Sequence, residues 1–75
     1  MYEIKLEEKG KINMPTNKYY SDILGITHEY VGKILSGKLP VKGTIAKGML
    51  SIAYNIPIDD SKMETLLTKH FTKIS

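Results

Sequence analysis

Residues 21–38 read SDILGITHEYVGKILSGK, in which a glycine and a threonine interrupt the pattern of an amphipathic helix. Gly25 readily adopts the left-handed backbone conformation that ends helices, and Thr27 is a favourable N-cap for a new helix. Gly37 then ends this second helix. The stretch therefore predicts two short helices joined by a tight turn.

The first of these helices is expected to begin after Pro15, with Thr16 as its N-cap. Two short helices can pack across one another at a steep angle when a small residue lies at the crossing and the turn supplies a positive φ. Ser21 meets the first condition and Gly25 the second. The apolar residues expected to hold the two helices in the core are Tyr20, Leu24, Ile26, Val31 and Ile34.

A third helix is predicted from near Thr44 to Ile56, where Pro57 ends it. Gly48 lies inside this helix and weakens it by roughly 1 kcal/mol relative to alanine. We therefore expect Gly48 to allow close packing against another element.

The last predicted helix covers about residues 61–74. Ser61, followed three residues later by Glu64, has the spacing of a capping box. His70 lies on its apolar stripe and is interpreted as a packing residue with satisfied hydrogen bonds rather than as a ligand. The stripe is either core or a dimer contact, and it consists of Met63, Leu66, Leu67, His70, Phe71 and Ile74.

The N-terminal segment alternates apolar and polar residues on both sides of Gly10, which is the period of a β-strand. We predict a β-hairpin over residues 2–14, with a short helix over residues 2–9 as the alternative. The edge of residues 2–7 is a second candidate for a dimer contact. The alternating apolar residues are Tyr2, Ile4, Leu6, Ile12 and Met14.

With 75 residues, 41% of them apolar and 25% charged, residues 1–75 have the size and composition of one ordinary globular domain. The helix patterns above predict a mainly α fold of about four helices, in addition to the N-terminal β-hairpin or its helical alternative. No apolar run approaches the roughly 18 residues of a membrane span. Charges throughout the first 25 residues argue against a secretion signal, and the absence of cysteine fits a reducing cytoplasm. We expect a cytoplasmic protein without membrane contact.

The net charge of +3 comes from 11 lysines against eight acidic residues, with no arginine. The excess is concentrated in residues 30–56, which contain lysines but no acidic residue. Unopposed positive charge there would attract a polyanion, although a solvated face is the simpler interpretation. The four lysines are Lys33, Lys38, Lys42 and Lys47.

Two fragments that resemble catalytic motifs fail on inspection. His28 and Glu29 would begin a zinc-protease helix, but Gly32 stands where the second histidine belongs. Residues 32–38 match the start of a phosphate-binding loop, but Leu39 replaces the required Ser or Thr. With no cysteine and no convergent carboxylate pair, we expect neither an enzyme nor a metal or cofactor.

The glycine turn and its flanking residues resemble the helix-turn-helix of the Cro and phage-repressor family. Ser21, Gly25, Ile26, Val31 and Ile34 carry the match within a unit of about residues 16–37. The segment GKLPVKGTIAKGMLSIAYNIPID resembles the family's next helix and turn. The resemblance implies a compact helical DNA-binding domain, usually a homodimer on a double-stranded operator, acting as a transcriptional regulator or repressor.

If the family geometry holds, the second helix lies in the major groove and its early residues meet base edges. Lys33 is expected to donate to guanine, Glu29 to accept from cytosine, and His28 to do either according to its tautomer. Backbone amides at the start of the preceding helix are expected to bind phosphate. The candidate DNA-binding residues are Asn17, Lys18, Thr27, His28, Glu29, Tyr30, Lys33, Ser36, Lys38 and Lys42.

Simpler interpretations remain open at this point. Glu29 and Lys33 have the i, i+4 spacing of an ion pair that stabilises a helix without DNA, and Tyr30 has the position of a half-buried core aromatic. Lacking arginine and glutamine, the chain cannot make the commonest bidentate contacts to guanine and adenine. The alternative function is a protein-interaction module with this fold that antagonises a host or repressor protein.

Overall fold

The computed structural model describes residues 1–8 and 10–74. Four α-helices are joined to a two-stranded antiparallel sheet and two short 3₁₀ helices, which confirms the predicted mainly α class. Within the described residues, no helix is long and apolar enough to cross a membrane. The elements are β1 (Tyr2–Ile4), 3₁₀ helices at Leu6–Glu8 and Gly10–Asn13, α1 (Asn17–Leu24), α2 (His28–Leu35), α3 (Gly43–Tyr54), α4 (Met63–His70) and β2 (Phe71–Lys73).

The boundaries of α1 and α2 follow the capping chemistry expected from the sequence. The Thr16 hydroxyl accepts a hydrogen bond from the Tyr19 amide at 3.1 Å, and Gly25 ends α1 with φ 71°. The Thr27 hydroxyl accepts one from the Tyr30 amide at 3.0 Å and so caps α2. Each cap satisfies an amide that the first turn of a helix leaves without a partner.

The core lies between the four helices and the inner face of the sheet. Tyr20 on α1 is fully buried, and its hydroxyl donates to the Ile12 carbonyl at 2.6 Å, so α1 is tied to the second 3₁₀ helix. Burial also raises the pKa of the Tyr20 hydroxyl far above its ordinary value, which keeps it protonated as a donor. Other side chains with no exposed surface include Ile12, Val31, Ile34, Val41, Met49 and Leu50.

Gly48 brings α3 close to α1, as predicted. A Cβ atom at this position would lie 2.7 Å from Cδ2 of Leu24, which is too close for two carbon atoms. The glycine therefore exchanges helix propensity for a close contact between the two helices. The helix ends at Tyr54, earlier than the predicted Ile56, because Asn55 takes the left-handed conformation with φ 54°.

The predicted N-terminal hairpin is only half correct. Residues 2–4 form a strand, but residues 10–13 form a 3₁₀ helix, and β1 pairs instead with β2 at the other end of the chain. Ile4 lies opposite Phe71, and both side chains are buried. Ile12, in the second 3₁₀ helix, is also fully buried and lies next to Tyr20, whose hydroxyl donates to its carbonyl.

The last helix is shorter than the predicted 61–74. It runs from Met63 to His70, because Phe71 turns extended, with φ −132°, to pair with β1. The predicted capping box is also wrong, since the Ser61 side chain makes no cap and the Asp60 carboxylate accepts from the Lys62 amide at 2.8 Å instead.

Both predicted dimer contacts are largely occupied within the protomer. Met63, Leu67 and Phe71 are buried, so the apolar stripe is core, with only Ile74 of the predicted set strongly exposed. Tyr2 in β1 pairs with β2 on one side and exchanges two backbone hydrogen bonds with Val41 on the other, at 2.7 and 2.8 Å. The edge of β1 is therefore not open for a second copy at Tyr2.

His70 is a buried packing residue with both ring nitrogens hydrogen-bonded, as the sequence predicted. Nδ1 donates to the Glu8 carbonyl, and Nε2 accepts from the Tyr54 hydroxyl at 2.6 Å. A carbonyl can only accept, so Nδ1 carries a proton, and in the neutral ring Nε2 is then the acceptor for the Tyr54 hydroxyl. Burial lowers the pKa of His70, because the charged ring would lose its hydration.

We predict that the protein becomes less stable as the pH falls below about 6.5, the ordinary pKa of a histidine. The lowered pKa of His70 means that the unfolded chain binds a proton near pH 6.5 while the folded protein resists it, so the stability present above that pH is lost below it. Urea unfolding of the protein and of His70→Gln at several pH values measures the effect. The exposed His28→Gln variant is the control, and an unchanged pH dependence in His70→Gln would contradict the assignment.

Candidate nucleic-acid interface

Helix α2 has one buried side and one exposed polar side. Val31, Ile34 and Leu35 point into the core and are at most 7% exposed. The opposite side carries polar residues, and it is exposed to solvent except at Gly32, which is partly buried. We call this surface the α2 face; it consists of His28, Glu29, Gly32, Lys33 and Ser36.

The turn of residues 25–27 holds the α2 face in place. Gly25 ends α1, Ile26 packs half-buried against the core, and Thr27 caps α2. The Thr27 hydroxyl is occupied by the Tyr30 amide at 3.0 Å, so its first role is structural. The predicted pair of short helices is thus present, with the glycine turn and both threonine caps where the sequence placed them. Tyr20, Val31 and Ile34 are buried as expected, and Leu24 and Ile26 are partly buried against the same core.

Asn17 on α1 and the α2 face meet at Gly32. A Cβ atom built on Gly32 would lie 3.5 Å from the side-chain amide nitrogen of Asn17, which is an ordinary van der Waals distance. The start of α1 therefore borders the middle of the α2 face. Asn17 is the candidate on α1 that the structure brings directly to α2.

Glu29 and Lys33 form an ion pair on the α2 face. Their charged atoms are 3.2 Å apart, with the Glu29 side chain 78% exposed and that of Lys33 45% exposed. The simpler interpretation of this i, i+4 pair is therefore realised in the free protein. A DNA contact by either residue has to share or replace this ion pair, because both charges already have a partner in the free protein.

Lys18, the second candidate on α1, is also paired. Its ammonium group lies 2.9 Å from the Asp22 carboxylate one turn along the helix, with both side chains exposed. The i, i+4 spacing of a lysine and an acid signals such a pair in the sequence. Phosphate binding by Lys18 would compete with this carboxylate.

The positive charge of residues 30–56 is less unopposed than the sequence suggested. Lys33 is paired with Glu29, and Lys47 on α3 lies 3.1 Å from Glu64 on α4. Among the described residues, Lys38 and Lys42 form no ion pair. Lys38 follows the end of α2, where its amide donates to the Lys33 carbonyl at 2.9 Å, and Lys42 lies exposed at the N-cap of α3.

The last two candidates have structural roles. Tyr30 is half-buried and packs against the core cluster, which supports its interpretation as a core aromatic. Ser36 is exposed at the C-terminal end of α2, and its hydroxyl donates to the Lys33 carbonyl at 3.2 Å. Its lone pairs remain available as acceptors.

Within the described residues, no group of three or more histidine, aspartate, glutamate or cysteine side chains is arranged to hold a metal ion. The α2 face carries hydrogen-bonding and charged side chains, namely those of His28, Glu29, Lys33 and Ser36. No protein-family model, curated protein or solved structure matches the chain. Support for a function comes from the geometry of this face.

We predict that the Glu29–Lys33 pair contributes little to folding, with a coupling of about 0.2–0.5 kcal/mol, because both side chains are exposed and one turn apart. Urea unfolding of Glu29→Ala, Lys33→Ala and the double variant measures this coupling. A coupling above about 1 kcal/mol would contradict the assignment of a weak surface pair. Confirmation would allow both variants to be used in binding experiments without loss of the fold.

Proposed function

We propose that this protein is a sequence-specific double-stranded DNA-binding transcriptional regulator. The observation that carries the proposal is the α2 face, a continuous exposed polar surface on a short helix whose opposite side is anchored in the core. A helix of this kind, preceded by a capped helix and a glycine turn, has the shape that enters the major groove. The surrounding lysines supply attraction to phosphate.

In this proposal, His28, Glu29 and Lys33 read base edges, and Ser36 completes the reading surface at the other end of α2. Asn17 and Lys18, at the start of α1, and Lys38 and Lys42, after α2, contact the DNA backbone. The Glu29–Lys33 pair opens or is shared when a guanine or cytosine edge approaches. The exchange of one polar partner for another favours sequence preference over raw affinity.

The proposed regulator acts in the cytoplasm as a homodimer on a near-palindromic operator, in the manner of a small Cro-like repressor of a phage or mobile element. A dimer seated on such an operator would block polymerase. Since a 75-residue domain has marginal stability, association with a second copy would also stabilise the fold. Sedimentation across a range of concentrations, with and without operator, tests this part of the proposal.

A protein partner is the second candidate function, and one observation favours it. Tyr19 and Ile23 lie one turn apart on α1 and are 53% and 54% exposed, which places two large apolar side chains on the exposed side of this helix. Such a pair is more typical of a surface that contacts protein than of one that contacts phosphate. In that case the exposed side of α1 would contact a protein partner, with no operator.

We predict that selection from a random duplex library, at about 0.1 M salt, enriches a two-fold symmetric motif with half-sites about 34 Å apart. His28→Ala and Lys33→Ala should change the enriched motif, because both side chains lie on the α2 face. Lys42→Ala should weaken binding to all sequences alike, because a phosphate contact carries no sequence information.

Lys62→Ala is the control for the loss of one exposed positive charge, since it lies at the start of α4 rather than on the helix-turn-helix unit. Affinity for the selected duplex should also fall steeply with salt, as expected for about 4–8 phosphate contacts per dimer. If no motif is enriched and all four variants bind alike, the DNA-binding proposal is wrong and the protein-partner function is favoured.

A further inference from the structure

Gly32 is a helical glycine that the fold does not require. Its φ is not positive, unlike those of Gly10, Gly25 and Gly37. A Cβ atom there would meet only the Asn17 amide, at an ordinary distance of 3.5 Å. Gly48, in the interior of α3, does have a packing reason, because a Cβ atom there would be too close to Leu24.

Gly32 also weakens the helix that the proposed function depends on. Glycine is among the least favourable residues in a helix interior, and α2 has only eight residues. An alanine would fit the space and strengthen the helix. A residue that costs stability without a structural return is a candidate for a role in binding.

The position of Gly32 suggests what that role is. It lies at the centre of the α2 face, one turn after His28 and one turn before Ser36, with the Glu29–Lys33 ion pair along one side. The missing side chain leaves a shallow gap over the helix backbone, bordered by the Asn17 amide. The floor of this gap is the apolar Cα of the glycine, so it suits a small apolar group.

Double-stranded DNA presents one such group in the major groove, the C5-methyl of thymine. The chain contains no arginine or glutamine for the commonest bidentate contacts, so apolar contact is a means of discrimination open to it. The other polar groups of the α2 face are partly occupied by one another, through the ion pair and the Ser36–Lys33 hydrogen bond.

We propose, on the basis of the DNA-binding function above, that Gly32 is a specificity-determining residue whose gap receives the methyl group of one thymine in each half-site. A methyl group added at position 32 would occupy the same space. Gly32→Ala should therefore select against thymine at that base pair while leaving the fold intact.

The test uses the duplex selected by the unaltered protein, with each thymine of the half-site replaced in turn by uracil, which lacks only the methyl group. At one position, uracil in a single half-site should lower the affinity of the unaltered protein about fourfold, the equivalent of one buried methyl group, and uracil in both half-sites should apply that factor twice. Gly32→Ala should bind the thymine duplex at least about tenfold more weakly and recover most of this loss when that same thymine is replaced by uracil in both half-sites.

Thermal unfolding shows whether the variant is folded: Gly32→Ala should melt a few degrees higher than the unaltered protein, because alanine favours the helix. Thr65→Ala, an exposed helix-favouring change on α4, is the matched control and should leave the preference for thymine unchanged.

If Gly32→Ala keeps the ratio of thymine to uracil affinities seen in the unaltered protein, the assignment of Gly32 is overturned while the DNA-binding function stands. If the unaltered protein selects no motif at all, the proposed function fails, and the role of Gly32 fails with it.

Discussion

The left-handed backbone at Gly25 is the constraint on which the rest of the structure depends. With φ 71°, this residue ends α1 and redirects the chain within three residues, so that Val31 and Ile34 of α2 reach the same core as Tyr20 of α1. A residue with a Cβ atom would be strained in this conformation. Because the inner side of α2 is fixed in this way, the direction of its polar outer side is fixed too.

The helix-turn-helix unit could be read from the sequence because its determinants are local. The caps at Thr16 and Thr27 and the glycine turn each act within four residues, and the structure places all of them as predicted. The close approach of another helix at Gly48 could also be predicted, since a glycine inside a helix indicates close packing, but the sequence did not identify Leu24 as the contact. The polar outer side of α2 followed from the same helical period.

The sequence predictions were wrong where the local structure depends on segments far apart in the chain. Residues 2–14 have the alternation of a hairpin, but Ile4 pairs with Phe71, some 67 positions away, and this pairing also shortens the last helix. The ion pair of Lys47 with Glu64 joins two helices and has no signature in either one. Lys18 with Asp22 is different, because its spacing within one helix made it visible.

The two ends of the chain stabilise one another through groups that the candidate interface does not use. β1 lies between β2 and Val41, and His70 links the Glu8 carbonyl to Tyr54 on α3. The Lys11 ammonium group lies 5.4 Å from the centre of the Tyr54 ring, within range of a cation–π contact. These contacts stabilise the domain without using the side chains on the outer side of α2.

The side chains of the α2 face bear on the proposed recognition of DNA. Among the described residues of the α2 face, the charged pair is mutually satisfied, the serine hydroxyl donates to its own helix, and the central residue has no side chain. Few groups on this face lack a hydrogen-bond or ion-pair partner, so the affinity for DNA from this face alone would be modest. In the proposed DNA complex, discrimination would then rest on shape and on polar partners exchanged at similar energy. Of the four lysines in residues 30–56, Lys38 and Lys42 form no ion pair with any described residue and would be the first of the four to attract phosphate.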